Sequence, residues 1–167
     1  MAYYYNRQAA VDYANTWWDS NNPQFPVFQD DCTNFISQCL YAGGAPMRGM
    51  PNREQGWWMI GLHERWSYSW SVAHSLRWYL ETSKRGLMAT RVYSPGELQL
   101  GDVICYDFQG NGRIDHSTIV TRIENGIPYV NAHTSNSKNR PYHYEDSSAY
   151  TPQMRYYFYH IADEFPM

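Results

Sequence analysis

A cysteine beside an acidic residue, at the start of a predicted helix, is the feature of this sequence best suited to chemistry. Residues 29–38 have the sequence Gln-Asp-Asp-Cys-Thr-Asn-Phe-Ile-Ser-Gln, and apolar side chains recur at helical spacing over residues 32–42. Asp31 is a favoured N-cap residue, which places Cys32 in the first turn, where free backbone N–H groups and the helix dipole stabilise an anion. The thiolate is the nucleophilic form of cysteine, so Cys32 is a candidate nucleophile. The alternative is that Cys32 only fills core volume, as buried free cysteines commonly do.

A nucleophilic cysteine needs a base that accepts the thiol proton and a third polar group that orients this base. His116 is the best candidate base, because it starts a predicted strand rich in Ile, Val and Thr. The strand is followed by a predicted hairpin turn at residues 125–126, Asn-Gly. Side chains alternate along a strand, so Asn131 and His133 share one face of the returning strand. Either residue is therefore a candidate to orient His116.

The elements that must position these residues are helices in the first half of the chain and strands in the second. Helices are predicted over residues 5–17, 32–42 and 71–83, and strands over residues 89–93, 102–106, 116–124, 128–134 and 155–161. Residues 44–68 are predicted to be an irregular, aromatic-rich excursion, and residues 141–152 a loop. This order predicts a single α+β domain over residues 1–167, with N-terminal helices packed on an antiparallel β-sheet.

Aromatic residues are unusually frequent, at 17% of the chain with seven Trp and sixteen Tyr. A chain of this size cannot bury all of them in a core. A share is therefore expected to line a groove, and flat rings with a polar edge suit sugars, peptides or partner proteins. Trp57 and Trp58, in the aromatic excursion, are candidate substrate contacts, with a second small core as the alternative.

Charge, hydropathy and cysteine content exclude several classes of function. The net charge of −3 gives no basic surface for nucleic acid. No apolar run approaches the ~18 residues of a membrane helix, so no membrane span is predicted. Three cysteines without a C-x-x-C pair predict neither a disulfide framework nor a metal site, and Cys39 and Cys105 are predicted to be structural.

A Gly-rich segment before His116 has part of the ligand pattern of a calcium loop. Its oxygen-bearing side chains stand at the first, third, fifth and ninth positions, namely Asp107, Gln109, Asn111 and Asp115. However, position twelve is Thr118 rather than a bidentate Glu, and a strand rather than a helix follows. The segment is therefore predicted to be a turn that aims His116, with calcium binding as the alternative. No cofactor or metal is predicted to be required.

Four short motifs resemble those of papain-like bacterial hydrolases that cut cell-wall amide bonds, the NlpC and CHAP families. They are Asp-Cys-Thr-Asn-Phe at 31–35, Leu-Gly-Asp-Val at 100–103, Asp-His-Ser at 115–117 and Ala-His-Thr at 132–134. The sequence is most similar to the family described as a putative amidase domain, which is often found in spore-forming Gram-positive bacteria. The resemblance covers residues 5 to about 162 and includes all four motifs in the family's order.

The resemblance implies a papain-like fold and a cysteine amidase or peptidase that hydrolyses amide bonds through a thioester. Peptidoglycan, or a peptide fragment of it, is the implied substrate. Cys32 would be the nucleophile, His116 the base and His133 the third polar residue. Asn131 is the rival for that last role, because papain-like sites commonly use Asn there.

The residues around the nucleophile have supporting roles in this interpretation. The backbone N–H of Cys32 would hold the oxyanion, and Thr33 would contact the substrate. Asp31 is expected to cap the helix and support the substrate side of the site rather than act as a catalytic acid. Two other classes stay open: a related acyl or peptidyl transferase, and a non-catalytic cell-wall or carbohydrate-binding module on the same fold.

The N-terminal residues bear on location. Residues 1–7 lack the apolar core of a secretory signal. Two locations are therefore expected as alternatives. Either the protein stays inside the cell, in the cytoplasm or associated with the spore, or it is a domain cut from a longer exported protein that acts at the cell wall or outside the cell.

Overall fold

A six-stranded antiparallel sheet with helices packed on one face forms the body of the protein in a computed structural model that describes residues 2–61 and 65–167. The helices are α1 (Arg7–Trp17), α2 (Cys32–Ala42), α3 (Tyr68–Ser71) and α4 (Ala73–Thr82). The strands are β1 (Ala2–Tyr4), β2 (Met59–Ile60), β3 (Arg65–Trp66), β4 (Ala89–Val92), β5 (Val103–Asp107), β6 (His116–Glu124), β7 (Ile127–Ala132), β8 (Ser137–Pro141), β9 (Arg155–Ile161) and β10 (Glu164–Pro166). The main sheet has the order β4-β9-β5-β6-β7-β8, while β1 pairs with β10 and β2 with β3.

Each face of the main sheet carries its own core, because side chains alternate along the strands. Val103, Cys105 and Ile119 pack with residues of the helices in the larger core. Ile104 and Val120, one residue further along, belong to a smaller core on the opposite face, which is covered by loops. The α+β class predicted from the sequence is confirmed.

The central helix α2 holds the candidate nucleophile at its first residue. It is buried from Cys32 to Leu40, and it packs against α1 and β6. Because the helix is buried on nearly all sides, packing rather than helix propensity fixes its position. The end of the helix that carries Cys32 is therefore held rigidly against the sheet.

The buried carboxylate of Asp102, from the Gly-Asp motif, ties the two halves of the chain together. Its Oδ1 accepts hydrogen bonds from Arg7 Nη1 at 2.7 Å and from the Ile161 backbone N–H at 2.9 Å. Its Oδ2 accepts from the Gln99 N–H at 2.8 Å and lies 2.9 Å from His160 Nδ1. A fully buried charge is tolerated when it is paired and hydrogen-bonded in this way. The motif thus has a structural role in joining α1, β5 and β9.

Several predicted boundaries differ from the structure for identifiable reasons. The first helix begins at Arg7 rather than residue 5, because the Asn6 side chain caps it by accepting from the Ala9 N–H. The predicted third helix, over residues 71–83, corresponds to α4, and the short helix α3 precedes it, separated by the extended backbone of Val72. Residues 137–141, which the sequence did not identify as a strand, form β8 because they pair with β7 at the edge of the sheet. Among the described residues, no helix is long and apolar enough to cross a membrane.

Candidate active site

A cavity of about 450 Å³ opens beside the first turn of α2 and contains both candidate catalytic residues. Cys32 enters it from α2, and His116 enters it from the start of β6. Polar and charged side chains form much of the remaining wall, including Asp30, Thr33, Arg113, Arg140 and Tyr144. The fold therefore brings together a thiol and an imidazole that are far apart in the sequence.

The thiol of Cys32 is buried in the wall of this cavity. Its Sγ lies 3.7 Å from the hydroxyl oxygen of Thr33. Burial raises the pKa of Cys32 above its ordinary value, and hydrogen bonds from the Thr33 side chain and the Ser117 backbone oppose this shift without cancelling it. The lowered pKa expected from the helix terminus is therefore not found in the free protein. Cys32 is therefore a neutral thiol near pH 7, and it could act as a nucleophile only beside a base that accepts its proton.

The imidazole of His116 is suited to be that base. Its ring is buried among aromatic rings, with centroids 5.6 Å from Tyr106 and 6.0 Å from Phe108. Burial, with a smaller contribution from the Arg140 charge, lowers the pKa of His116 to about 4. His116 is therefore neutral at pH 7 and able to accept a proton.

A tyrosine, rather than a histidine or an asparagine, contacts the candidate base. The Tyr144 hydroxyl lies 2.9 Å from His116 Nε2. The Arg140 guanidinium lies 4.0 Å from the centre of the Tyr144 ring and fixes that ring in place. Burial raises the pKa of Tyr144 to about 12, so it stays a hydroxyl that can donate or accept. No hydrogen bond to Nδ1 of His116 is found within residues 2–61 and 65–167, so this nitrogen is free to accept a proton.

Tyr144 was missed at the sequence level. It follows β8 in the Tyr-rich segment predicted to be a loop, and its backbone φ is 58°, a left-handed conformation uncommon for tyrosine. The sequence contains no spacing that separates Tyr144 from the neighbouring Tyr142. The unusual φ is visible only in the folded backbone, and such conformations concentrate at functional sites.

We expect Tyr144→Phe to lower kcat/KM for amide cleavage by about 10- to 100-fold, because one hydrogen bond that orients the base is lost. The phenylalanine ring keeps the contacts with Arg140 and Tyr106, so the folded structure should be unchanged. Tyr142→Phe removes a hydroxyl two positions away and serves as the matched control. Equal activities of the two variants would show that the Tyr144 hydroxyl does not orient His116.

Neither predicted third residue contacts His116, and the register of the sheet explains why. Asn131 pairs with Ile119, so it lies on the helix-side face of the sheet, and His133, two residues on, has the same parity. His116 has the parity of Thr118 and Val120 and faces the other way. Asn131 and His133 do share one face of the sheet, as predicted. His116, however, lies on the opposite face.

Asn131 has a structural role at the edge of the sheet. Its Oδ1 accepts a hydrogen bond from the Thr121 hydroxyl at 2.8 Å and another from the Asn139 N–H at 2.9 Å. Its Nδ2 donates to Asn15 Oδ1 at 2.9 Å. The amide is thereby satisfied by β6, β8 and α1, and none of these bonds reaches the cavity.

His133 is bound to the N-terminal end of the nucleophile helix. Its Nδ1 lies 2.6 Å from Asp31 Oδ2, its Nε2 lies 2.6 Å from the Trp17 carbonyl oxygen, and its ring stacks on Phe35 at 4.0 Å. A neutral imidazole has one N–H, whereas both neighbours are acceptors. Both ring nitrogens of His133 therefore face acceptor oxygens, and neither is directed at His116.

Asp31 occupies the predicted N-cap position of α2, and its carbonyl accepts from the Phe35 N–H at 3.0 Å, but its side chain does not cap the helix. Its side chain makes no hydrogen bond to a free N–H group of α2. Instead Oδ1 accepts from the Phe28 N–H at 3.0 Å and from Asn34 Nδ2 at 2.9 Å, while Oδ2 faces His133. Asp31 also lies outside the wall of the Cys32 cavity, whereas Thr33, the other predicted support residue, lines it. Asp31 and His133 position Cys32 by fixing the residues that precede it.

We expect Asp31→Asn to lower the free energy of unfolding by about 2 kcal/mol, because an amide N–H group replaces one acceptor oxygen of a buried carboxylate whose two oxygens both have partners. Urea unfolding near pH 7 measures this loss. Asp30→Asn is the matched control, since Asp30 is exposed and the same change there should cost less than about 0.5 kcal/mol. Similar losses for both variants would contradict the role assigned to the Asp31–His133 pair.

Trp57 and Trp58, predicted to contact substrate, are core residues in the structure. Both are fully buried and neither lines the cavity. Trp57 packs on Trp70 with ring centroids 4.8 Å apart and donates its indole N–H to Ser37 Oγ at 3.0 Å. Trp58 donates its indole N–H to the Asn52 carbonyl at 3.0 Å. Burial of these large rings fixes the aromatic excursion onto α2.

The segment that resembles a calcium loop uses its oxygen atoms within its own turn. Asp107 accepts from the N–H groups of Asn111 and Gly112, at 3.2 and 2.7 Å. Asp115 Oδ2 accepts from the Phe108 N–H at 2.9 Å. In the part of the chain that the structure describes, no group of three or more His, Cys, Asp or Glu side chains is arranged to hold a metal ion. The loop leads directly into His116 at the start of β6.

Comparison with known proteins agrees with the four motifs. The family model described as "Putative amidase domain" matches residues 4–159. The uncharacterized protein YhbB of Bacillus subtilis (strain 168) is 57% identical over 164 residues, which are 98% of this chain and 52% of that protein. The uncharacterized protein YjcM of the same strain is 30% identical over 151 residues, 86% of this chain and 34% of that protein. The chain thus spans about half the length of the first relative and about a third of the second. No solved structure matches.

Proposed function

The chain belongs to the family described as a putative amidase domain, and from this premise we propose that it is a papain-like cysteine amidase or peptidase. Cys32 is the nucleophile and His116 the base. The proposed substrate is an amide bond of peptidoglycan or of a peptide fragment derived from it. The observation that carries the proposal is the shared cavity, which is lined by both a buried thiol and a neutral imidazole.

The reaction begins with proton transfer from the Cys32 thiol to His116. The sulfur attacks the amide carbonyl carbon, and a C–S bond forms as the thiol proton moves to Nδ1. The Cys32 backbone N–H, one of those that a helix start leaves unbonded, supports the negative charge that develops on oxygen. The imidazolium then protonates the departing nitrogen, the C–N bond breaks, and a thioester remains. Water, deprotonated by His116, releases the carboxylate product and restores the thiol.

Transfer of the proton during the attack follows from the two pKa values. The pKa of Cys32 is raised and that of His116 is lowered to about 4, so the neutral pair is the stable state of the free protein. His116 therefore acts as a general base rather than as part of a preformed ion pair. When Nε2 donates to the Tyr144 hydroxyl, Nδ1 is the unprotonated nitrogen, which is the tautomer that this step requires.

The position of Cys32 and His116 supports the papain-like arrangement. The nucleophile starts a buried helix, and the base starts a strand of the antiparallel sheet on which that helix packs. Tyr144 takes the part of the third polar group that the sequence had suggested for His133 or Asn131. The orienting residue is then a tyrosine rather than a histidine or an asparagine, and its chemical role is the same.

Hydrolysis is favoured over the two alternative functions by the walls of the cavity. Thr134 and Ser135 line the cavity and are exposed, so water reaches it, whereas a transferase would exclude water. A binding module would have no need for a thiol and a neutral imidazole in one cavity. We therefore propose water as the acceptor in the second step.

Digestion of purified peptidoglycan tests the proposed function. We expect mass spectrometry to detect new amine and carboxylate ends after incubation with the protein, and none after incubation with Cys32→Ala. Identification of the new ends also shows which amide bond is cut. An unchanged digest with the intact protein would refute cleavage of peptidoglycan, and equal cleavage by Cys32→Ala would refute the cysteine mechanism.

A further inference from the structure

A second cavity, of about 420 Å³, lies between the outer face of α4 and residues 53–56. Its helical side consists of residues at positions i, i+3, i+4 and i+7, namely Ser75, Trp78, Tyr79 and Thr82. These positions form one face of a helix, so the cavity is a groove along α4. None of the residues assigned to amide cleavage lines this groove.

Two aromatic rings in this groove are exposed to an unusual degree. Trp78 is 46% exposed and Tyr68 is 41% exposed. All seven tryptophans lie in the described part of the chain, and Trp78 alone among them is exposed rather than buried or half-buried. Exposed apolar ring surface is costly in water, and a ligand that covers it recovers that free energy.

Both rings are held in fixed positions. The Trp78 indole N–H donates to His74 Nε2 at 3.3 Å, and the Arg77 guanidinium lies 3.8 Å from the Trp78 ring centre. The Arg53 guanidinium lies 4.8 Å from the centre of the Tyr68 ring. Rings that are fixed before binding lose little side-chain entropy when a ligand covers them.

The polar side chains of the groove combine acceptors with donors. Glu54 supplies a carboxylate, Ser75 a hydroxyl and Arg53 guanidinium N–H groups. Within residues 2–61 and 65–167, the side chains of Glu54 and Ser75 have no hydrogen bond or ion pair. Because the groove is lined by one acidic and one basic side chain, a strongly charged ligand is disfavoured. Flat apolar faces with mixed polar groups match a pyranose ring, which has an apolar C–H face and an edge of hydroxyl groups.

The groove is adjacent to the candidate active site. Residues 71–73 line the Cys32 cavity, whereas Tyr68 and His74, on either side of them, line the groove. His74 Nδ1 accepts a hydrogen bond from the Ile114 N–H at 3.1 Å, and Ile114 lines the Cys32 cavity. An extended ligand that crosses the α3–α4 junction would therefore occupy both.

We propose that this groove binds a pyranose ring of a glycan strand whose attached peptide enters the Cys32 cavity. The inference rests on the proposed function for its substrate and adds a sugar subsite to it. Trp78 and Tyr68 provide the stacking surfaces, and Glu54, Ser75 and Arg53 bind the hydroxyl groups.

Calorimetric titration with chitotetraose, a soluble β-linked amino-sugar oligomer, tests the sugar subsite. We expect saturable binding to the intact protein and affinity at least about tenfold weaker for Trp78→Ala. Tyr93→Ala is the matched control, because Tyr93 is an exposed ring that lines neither cavity, and its affinity should equal that of the intact protein. Absence of saturable binding, or equal affinity of Trp78→Ala, would overturn the proposal.

Two further measurements keep the result unambiguous. Far-UV circular dichroism checks that Trp78→Ala is folded, and Tyr68→Ala tests the same groove from the other side. Because chitotetraose contains no peptide, its binding is measured independently of amide cleavage. Binding that depends on Trp78, in a protein that fails to cut peptidoglycan, would refute the proposed function and keep the sugar site. Cleavage without such binding would refute the sugar site alone.

Discussion

Replacement of Cys32 by alanine is expected to abolish amide cleavage, with a loss in kcat of at least about 10³-fold. The proposed thioester cannot form without Sγ, and no other cysteine can replace it. Cys39 and Cys105 are fully buried, and neither lines the cavity that contains His116. Release of amine ends from purified peptidoglycan, measured at several enzyme concentrations, quantifies the loss.

The two buried cysteines supply the matched controls. Burial raises the pKa of Cys105 to about 12 and that of Cys39 well above its ordinary value, so neither is a reactive thiolate at neutral pH. Cys39→Ala and Cys105→Ala should therefore keep their activity, apart from a loss of stability caused by the small cavities they create. Iodoacetamide should modify Cys32 before the other two and inactivate the protein as it does so. Retained activity in Cys32→Ala would contradict the cysteine mechanism.

The elements with strong local patterns were predicted accurately from the sequence. Both ends of the helix 32–42 were predicted correctly. Its apolar stripe begins after Asp31, an N-cap type of residue, and stops at two glycines, the first of which is the C-cap in the structure. The strands 116–124 and 155–161 were predicted equally well because they are rich in β-branched and aromatic residues. In each case the periodicity of the segment itself contains the information.

The contacts of the candidate site depend on properties that no single segment contains. His133 was assigned to the wrong partner because the pairing register of β6 with β7, rather than either strand alone, decides which face it shares. Trp57 and Trp58 were assigned to a groove because composition cannot tell which rings the tertiary fold will bury. Tyr144 approaches His116 through a loop whose path is set by β8, an edge strand with little local signal. These side-chain contacts depend on strand pairing and packing between distant segments, which local sequence patterns do not contain.

The orienting role expected of His133 falls to Tyr144 in the proposed site, and His133 has a different role. Tyr144 orients the base, while His133 binds Asp31 and fixes the residues before the nucleophile. Loss of the first should reduce turnover with little effect on folding, whereas loss of the second should reduce the stability of the fold. Kinetic and unfolding measurements on the same variants therefore distinguish the two roles.

The second large effect is expected from His116→Gln, which should lower kcat by at least about 10³-fold because no base remains to accept the thiol proton. The same variant should also change the dependence of folding stability on pH. The pKa of His116 is about 4 in the folded protein, compared with about 6.5 for an unperturbed histidine in the unfolded chain. Well above pH 6.5, His116 is neutral in both the folded and the unfolded protein, so its titration does not lower the free energy of unfolding there.

Between pH 6.5 and pH 4 the unfolded chain binds a proton at His116 that the folded protein does not, so stability falls as the pH falls. Proton binding at His116 in the unfolded chain should therefore lower the free energy of unfolding by about 2 kcal/mol between pH 7.5 and pH 5. Urea unfolding at these two pH values measures the decline in the intact protein and in His116→Gln, which should lack this part of it. His143→Gln is the matched control, because His143 is partly exposed and its replacement should keep the decline. An equal decline in the intact protein and in His116→Gln would show that His116 is not held neutral by burial, and the general-base role would lose its physical foundation.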